Sequence, residues 1–301
     1  MNKTCIIIAG PTAVGKTAFA IEAARHFSTE IISADSRQCY REMNTGVARP
    51  SPEELAAVPH HFIASHSIHE NINAADFEKY ALQCTGTVFQ QHDHVVMVGG
   101  TGLYIKAFCE GLDDIPAATT ALRQEITAAY EANGIGWLQS VIEKEDPVFF
   151  VRGEMQNPQR MMRALEVIRT TGRSILEFRS ENKKQRPFNV VKIGLELPRD
   201  ILYDRINQRV DTMIQEGLVE EARALFPYRH LNALQTVGYR ELFDHFEGHI
   251  SFERAVELIK QNTRHYAKRQ LTWFKRDAAI QWLDPSTGKT SWEQLIQQKT
   301  G

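Results

Sequence analysis

The stretch Gly10-Pro-Thr-Ala-Val-Gly-Lys-Thr17 fits the pattern G-x-x-x-x-G-K-[ST], and its flanks fit it as well. Before it, Thr4-Cys-Ile-Ile-Ile-Ala9 is a short apolar run rich in β-branched residues, which reads as a buried strand. After it, Thr17-Ala-Phe-Ala-Ile-Glu-Ala-Ala-Arg-His26 reads as an amphipathic helix. Strand, glycine turn and helix is the arrangement in which main-chain N–H groups and a helix N-terminus wrap a phosphate chain. Gly10, Pro11, Thr12, Ala13, Val14, Gly15, Lys16 and Thr17 then form the cradle. Lys16 reaches the terminal phosphates, and the Thr17 hydroxyl holds Mg2+. The competing reading, an ordinary βα turn with two glycines, is disfavoured because motif and flanks agree. The ligand is a di- or triphosphate, and the motif does not say what carries it.

With 301 residues, 43% of them hydrophobic, the chain suits one large or two modest globular domains. No apolar run of about 18 residues is present, so no membrane-spanning helix is expected. Lys3 and a short apolar run lead straight into the loop, which does not read as a signal peptide. Cys5, Cys39, Cys84 and Cys109 show no C-x-x-C spacing, so reduced thiols and a cytoplasmic location are expected. The net charge of −2 names no polyanionic partner by itself. Its distribution is more informative. Lys260–Arg276 holds six Lys/Arg and no acid, and Arg160–Lys192 holds nine against three. Local basic faces on a near-neutral chain suit a protein that grips a polyanion at defined places.

Further along, Glu30–Ala34 reads as a strand ending at Asp35-Ser36, and Arg37–His60 as loop, punctuated by Gly46, Pro50, Pro52 and Pro59. A short strand is expected at His61–Ala64, a helix from Ala74 to about Gln91 capped by Asn73, and a buried strand at His94–Val98. Gly99-Gly-Thr-Gly102 leads into another helix. Strands alternating with helices predict an α/β fold with a parallel sheet covered on both faces. From 116 to 186 only helical periodicity is found, at Thr120–Ala132, Trp137–Lys144, Pro158–Thr171 and Ile175–Arg179, with a polar linker at Asn182–Pro187. Val190–Leu197 then returns to strand character, followed by helices at Asp200–Glu216, Leu218–Phe226, Gln235–Phe246 and Phe252–Lys275 and a last strand at Ala279–Leu283. The chain therefore reads as an α/β core, 1–115 and 187–301, interrupted by an inserted all-helical subdomain, 116–186.

Four groups of residues carry candidate chemistry. Asp35 follows a strand of the phosphate-loop sheet, where ligands of parallel sheets bind. It is a metal ligand, a general base, or a cap for Ser36–Tyr40. Thr101 ends another such strand, where many phosphate-loop hydrolases carry a metal-binding Asp; its absence counts against an ATPase or GTPase. The glycines around it either admit a ligand or merely start a helix. Arg205 and Arg209 share a helix face, either as phosphate clamps or as a solvated stripe. Thr263–Arg276 is a basic helix with interleaved aromatics, Leu258, Ile259, Tyr266, Ala267, Leu271 and Phe274 facing inward and the cations facing RNA or solvent.

Taken together, Gly10–Thr17, Asp35-Ser-Arg-Gln-Cys-Tyr40, Val98-Gly-Gly-Thr-Gly-Leu-Tyr104, Arg163–Val167, Gly238-Tyr-Arg-Glu-Leu242 and Thr263–Phe274 resemble the tRNA dimethylallyltransferases, the isopentenyl transferases that modify the adenosine 3′ to the anticodon (tRNA position 37). The resemblance spans nearly the whole chain. It implies that the loop holds the diphosphate of dimethylallyl diphosphate rather than ATP, with Asp35 as general base on the adenine N6 amine. Thr101 becomes a hydrogen-bond partner at the reaction centre and Arg209 a pyrophosphate clamp. It places contacts to the tRNA anticodon stem-loop on Asp35, Ser36, Arg37, Gln38, Thr101, Arg123, Gln159, Arg160, Met161, Met162, Arg163, Gln235, Thr236, Val237, Gly238, Tyr239 and Arg240. The inserted helices correspond to the domain that closes over that stem-loop. No C-terminal zinc-finger extension is present, which implies a bacterial-type enzyme, expected to act as a monomer. Two other readings stand beside it: a phosphate-loop kinase of small molecules, and a nucleotide-gated RNA-binding module without catalysis.

Overall fold

Strand β1 (Thr4–Ala9) is buried at every position. Its odd residues Cys5, Ile7 and Ala9 enter one core and its even residues Ile6 and Ile8 another, because successive side chains of a strand point to opposite faces. A central strand covered on both faces needs a continuous apolar run, which is what the sequence carries. The computed structural model describes residues 3–179, 183–285 and 296. Around β1 the sheet adds β2 (Ile31–Ser33), β3 (His60–His61), β4 (His94–Gly99), β5 (Asn189–Leu195) and β6 (Ile280–Leu283). All neighbours are parallel, in the order β3-β2-β4-β1-β5-β6.

The helices are α1 (Lys16–His26), α2 (Pro52–Ala57), α3 (Ala74–Val88), α4 (Gly102–Glu110), α5 (Thr120–Glu145), α6 (Pro147–Arg152), α7 (Pro158–Thr171), α8 (Arg199–Gln215), α9 (Leu218–Leu225), α10 (Tyr239–Phe246) and α11 (Phe252–Phe274). One compact unit runs to Glu110 and resumes at Gln185, and it contains the sheet. The other, Gly111–Lys184, holds only helical elements among its described residues, around a core that includes Ile126, Leu138, Ile142, Met161 and Leu165. The return point has a cause. Arg186 donates to Phe108 O at 2.7 Å, to Ala107 O at 2.8 Å and to Glu78 at 2.7 Å, which fastens the returning chain to α3 and α4. The expected linker therefore holds a buried-type anchor at Arg186; its first residue, Asn182, lies outside the described residues.

Most sequence-derived elements recur with shifted ends, and the differences have local causes. Read as loop because of its prolines, 37–60 contains α2: Ser51 and Glu54 form a reciprocal capping box and Pro52 occupies the first turn, where its fixed φ favours a helix. At α6 Asp146 caps Phe149 N and Pro147 occupies the first turn, without a reciprocal box. The expected strand His61–Ala64 shrinks to His60–His61, since Phe62 and Ala64 adopt positive φ of 62° and 47°. Helix α10 begins at Tyr239 rather than Gln235 because Gly238 sits at φ 101° behind a 3-10 turn, Asn232–Leu234. Ile175–Phe178 is a 3-10 turn too short to be a helix. The two helices expected at 120–132 and 137–144 form α5, broken at Gly134, φ 74°.

Candidate active site

The phosphate loop departs from β1 with Gly10 at φ 151°, where a Cβ would lie 2.6 Å from Leu195 O of β5. Ala13 at φ 65° and Gly15 at φ 103° place left-handed residues in alternation. Such alternation turns successive N–H groups inward, forming an anion-binding concavity. A non-glycine at Ala13 costs about 1–3 kcal/mol, and strain of this size persists where the surroundings enforce it. Lys16 Nζ donates to Pro11 O at 2.6 Å, so its ammonium arches back over the loop. Burial pushes that ammonium down to about 7; the nearby Asp35 carboxylate opposes the fall, and Arg209 adds to it. Arg209, on α8, approaches the Thr12 hydroxyl at 3.5 Å. Arg205 makes no such approach. Thr17, in the first turn of α1, has a hydroxyl without a hydrogen-bond partner among the described residues.

Beside this cradle, β2 and β4 end together. Ala34 N donates to Val98 O at 2.7 Å and Thr101 N to Ala34 O at 3.2 Å, so Asp35 and Thr101 leave the sheet side by side. Thr101 Oγ1 accepts from Ser36 N at 3.1 Å and donates to Ser36 Oγ at 3.3 Å. Asp35 Oδ1 accepts from Arg37 N at 2.8 Å and from Gln38 N at 3.3 Å, while Oδ2 has no partner among the described residues. One oxygen thus caps the turn, the third of the roles open for Asp35. Half-buried, it is coupled electrostatically to both Lys16 and Tyr266.

Four features were not legible beforehand. Tyr266 does not pack inward: its side chain is 36% exposed, and burial of its hydroxyl, together with the Asp35 carboxylate, raises it to about 12 while a bond to Thr101 opposes the rise. The glycines before α4 make room for protein rather than ligand. A Cβ at Gly100 would lie 2.1 Å from Gln270 Nε2, one at Gly102 2.2 Å from the Trp273 ring, and one at Gly99 2.2 Å from Ala34 O. Gln270 itself is a buried polar residue on the inner face of α11. Glu221 of α9 accepts from the Asn44, Thr45 and Gly46 amides at 3.1, 2.8 and 3.0 Å and from the Tyr239 hydroxyl at 2.5 Å. A polar residue at the register of buried Ala267 and Phe274 was the one available signal for Gln270.

Residues expected to meet tRNA fall into two groups. In the α/β unit Arg37 donates to Asn232 O at 3.0 Å, which ties the Asp35–Gln38 turn to the segment that precedes Gln235–Arg240. Gln38 is occupied structurally, donating to Val47 O and Ala48 O at 3.3 and 2.9 Å and accepting from Ser33. Gly238 and Tyr239 are buried, and Thr236 and Val237 half-buried; Gln235 and Arg240 are exposed. In the helical unit Arg123 and Arg163 converge on buried Glu166 at 3.1 and 3.0 Å, Arg160 pairs with Glu154, and Gln159 is exposed. Met161 and Met162, at 0% and 7% exposure, pack their side chains into the core of the helical unit.

The sequence pattern of the family described as IPP transferase matches residues 38–277. This chain belongs to that family. The tRNA dimethylallyltransferase of Christiangramia forsetii is 49% identical over 284 residues, covering 94% of each chain. The tRNA dimethylallyltransferase 1 of Phocaeicola vulgatus is 45% identical over 285 residues, 95% of each. Among solved structures, the tRNA isopentenylpyrophosphate transferase of Bacillus halodurans gives a TM-score of 0.71 at 37% identity, covering 99% of this chain and 94% of that one. A eukaryotic dimethylallyltransferase described as acting on tRNA gives 0.78 at 25% identity, covering 98% and 77%. As an IPP transferase the chain is a prenyl-transferring, tRNA-modifying enzyme, and the kinase alternative gains no support from a β4 that ends in Gly-Gly-Thr instead of Asp. Among the described residues no helix is long and apolar enough to cross a membrane.

Proposed function

We propose that this IPP transferase moves a dimethylallyl group from dimethylallyl diphosphate to the exocyclic N6 amine of the adenosine 3′ to the anticodon. One observation carries the reading: a carboxylate with one oxygen unpartnered among the described residues is coupled electrostatically to Lys16 of the phosphate loop, while β4 runs into Gly-Gly-Thr where a hydrolase carries Asp. The amine is a weak nucleophile because its lone pair is delocalised into the ring. Asp35 Oδ2 removes its proton as the N–C bond forms. The allylic C–O bond breaks, and its electron pair leaves with pyrophosphate. Loop amides, Lys16 and Arg209 meet the charge that gathers there. No water takes part, and its exclusion protects the allylic diphosphate from hydrolysis.

Mg2+ fits this site through its donors. The Thr17 hydroxyl is a free hard oxygen at the loop, and Mg2+ bound largely through substrate phosphates needs few protein ligands. When bound it would neutralise diphosphate charge. Thr101, fixed by Ser36, would orient the amine. The target base must leave the anticodon-loop stack, which costs on the order of a few kcal/mol and least for a base already unpaired. The arginines of the helical unit, Arg123, Arg160 and Arg163 with Gln159, would meet the backbone of the stem-loop, as would exposed Gln235 and Arg240. Four free cysteines among the described residues accord with a cytoplasmic location.

The test offers labelled dimethylallyl diphosphate with bulk tRNA, beside an ATP control, and follows it by nucleoside analysis. Label in a modified adenosine supports the reading. Label left in the diphosphate, with ATP consumed instead, rejects it.

A further inference from the structure

A single buried side chain joins the two halves of the site. Gln270, 6% exposed on α11, donates through Nε2 to Gly100 O at 2.9 Å and accepts through Oε1 from Thr12 N at 2.9 Å. A main-chain N–H only donates and a carbonyl only accepts, so these partners fix the amide in one orientation. On the cradle side, the Thr12 N–H is committed to Gln270, and Arg209 approaches the hydroxyl of the same residue at 3.5 Å. Thr12 is therefore held from two directions immediately before Ala13 at φ 65°. On the acceptor side, Gly100 directly precedes Thr101, whose hydroxyl holds Ser36 next to Asp35. The absence of a Cβ at Gly100 is what admits Gln270.

We propose that Gln270 is a positioning residue that keeps the diphosphate cradle in register with the acceptor corner, so that the departing oxygen and the attacking amine meet across the allylic carbon. It touches neither substrate. Its action runs through Thr12 and Gly100, and it rests on the prenyl-transfer reading given above. The residue type follows from the two bonds. A carboxylate accepts from Thr12 but opposes the Gly100 carbonyl with lone pairs. A methionine fills the volume and leaves both main-chain groups unpaired.

Gln270→Glu and Gln270→Met test this, with Ile259→Val, a core change on the same helix, as the reference for destabilisation alone. Single-turnover prenyl transfer, affinity for inorganic pyrophosphate and for tRNA, and Tm are measured at pH 6 and 8. At pH 8 Gln270→Glu is expected to slow transfer roughly 10²-fold, the scale of a small misplacement of reacting groups, with tRNA affinity within about twofold of the parent. A buried carboxyl has a raised pKa, and once protonated it offers the same donor and acceptor as glutamine. Its rate relative to the parent therefore recovers at pH 6, whereas that of Gln270→Met does not. Transfer within about threefold of the parent at pH 8 overturns the proposal, as does a loss in either variant no larger than that of an equally destabilised Ile259→Val. If Gln270→Glu does not fold, Gln270→Met against this reference decides. A parent protein that transfers no prenyl group sinks the functional reading instead; pyrophosphate affinity, expected to fall roughly tenfold in Gln270→Glu at pH 8 and to recover at pH 6, then decides the role of Gln270 alone.

Discussion

In the loop Gly10–Thr17 the main chain is the working part and side chains restrain it; at the corner Asp35–Gln38 a side chain is the working part and the main chain restrains it. The loop is eight consecutive residues; Pro11 has no N–H and that of Thr12 is held by Gln270, and φ angles of 151°, 65° and 103° at Gly10, Ala13 and Gly15 aim the others. The corner is assembled from β2, β4 and α11, and Asp35 is aimed by two amides on one oxygen. Cationic groups, Lys16 in the loop and Arg209 from α8, serve the cradle, while the corner would supply only a place to put a proton. The difference separates two jobs: stabilising a leaving group, and activating a nucleophile.

The largest expected effect breaks that separation at Asp35. Asn retains an acceptor for the Arg37 and Gln38 amides but is no base, so Asp35→Asn should lower single-turnover transfer by about 10²–10⁴-fold. Tm and tRNA affinity should change little; an equal loss of rate and tRNA affinity would make Asp35 a binding residue. Arg209→Ala should slow transfer by roughly 10²-fold without weakening tRNA, and an unchanged single-turnover rate would remove it from the loop's work. Gly102→Ala drives a Cβ into the Trp273 ring and should cost about 1–3 kcal/mol of stability, read as a lower Tm in thermal melts.

Smaller still is the pH dependence of pyrophosphate binding. Burial leaves Lys16 at about 7 in the free protein, and a bound anion favours its charged form. Between about pH 7 and the higher pKa of the bound state, binding therefore takes up a proton, and affinity should fall by up to about tenfold per pH unit as pH rises. Titration calorimetry in buffers of different ionisation enthalpy measures the proton count, and Lys16→Arg should abolish it. The least effect belongs to Met161→Leu, a volume-conserving change in the helical core expected to cost less than about 1.5 kcal/mol and to leave tRNA affinity unaltered. A tenfold loss of tRNA binding there would show that the side chain does reach RNA.

The contrast also explains what could be read early. The loop was legible because every element of it is local: strand, glycines, lysine and helix follow one another along the chain. Asp35 and Thr101 were legible as strand ends. Gln270 was passed over because the basic residues around it drew Thr263–Arg276 toward an RNA-facing reading, and Tyr266 was turned inward for its ring alone. A stretch such as Gln159–Arg163 is contiguous in sequence, yet a helix sends Met161 and Met162 to the core and leaves Gln159 and Arg160 exposed. Proline misled at Pro52, where the cap at Ser51 makes it a helix start.

By itself, then, the sequence determined the parallel α/β sheet, the phosphate loop and an all-helical insertion, because these depend on periodicity and on spacing within one segment, and it carried the family through the resemblance of six separate motifs. Only the tertiary structure decided that the glycines of Gly99–Gly102 serve Ala34, Gln270 and Trp273, that Gln38 and Tyr239 are committed to the protein's own frame, and that one amide of α11 reaches both halves of the site. Such facts require hydrogen bonds and contacts between residues up to 258 positions apart, and no local pattern encodes which distant group a buried donor will meet.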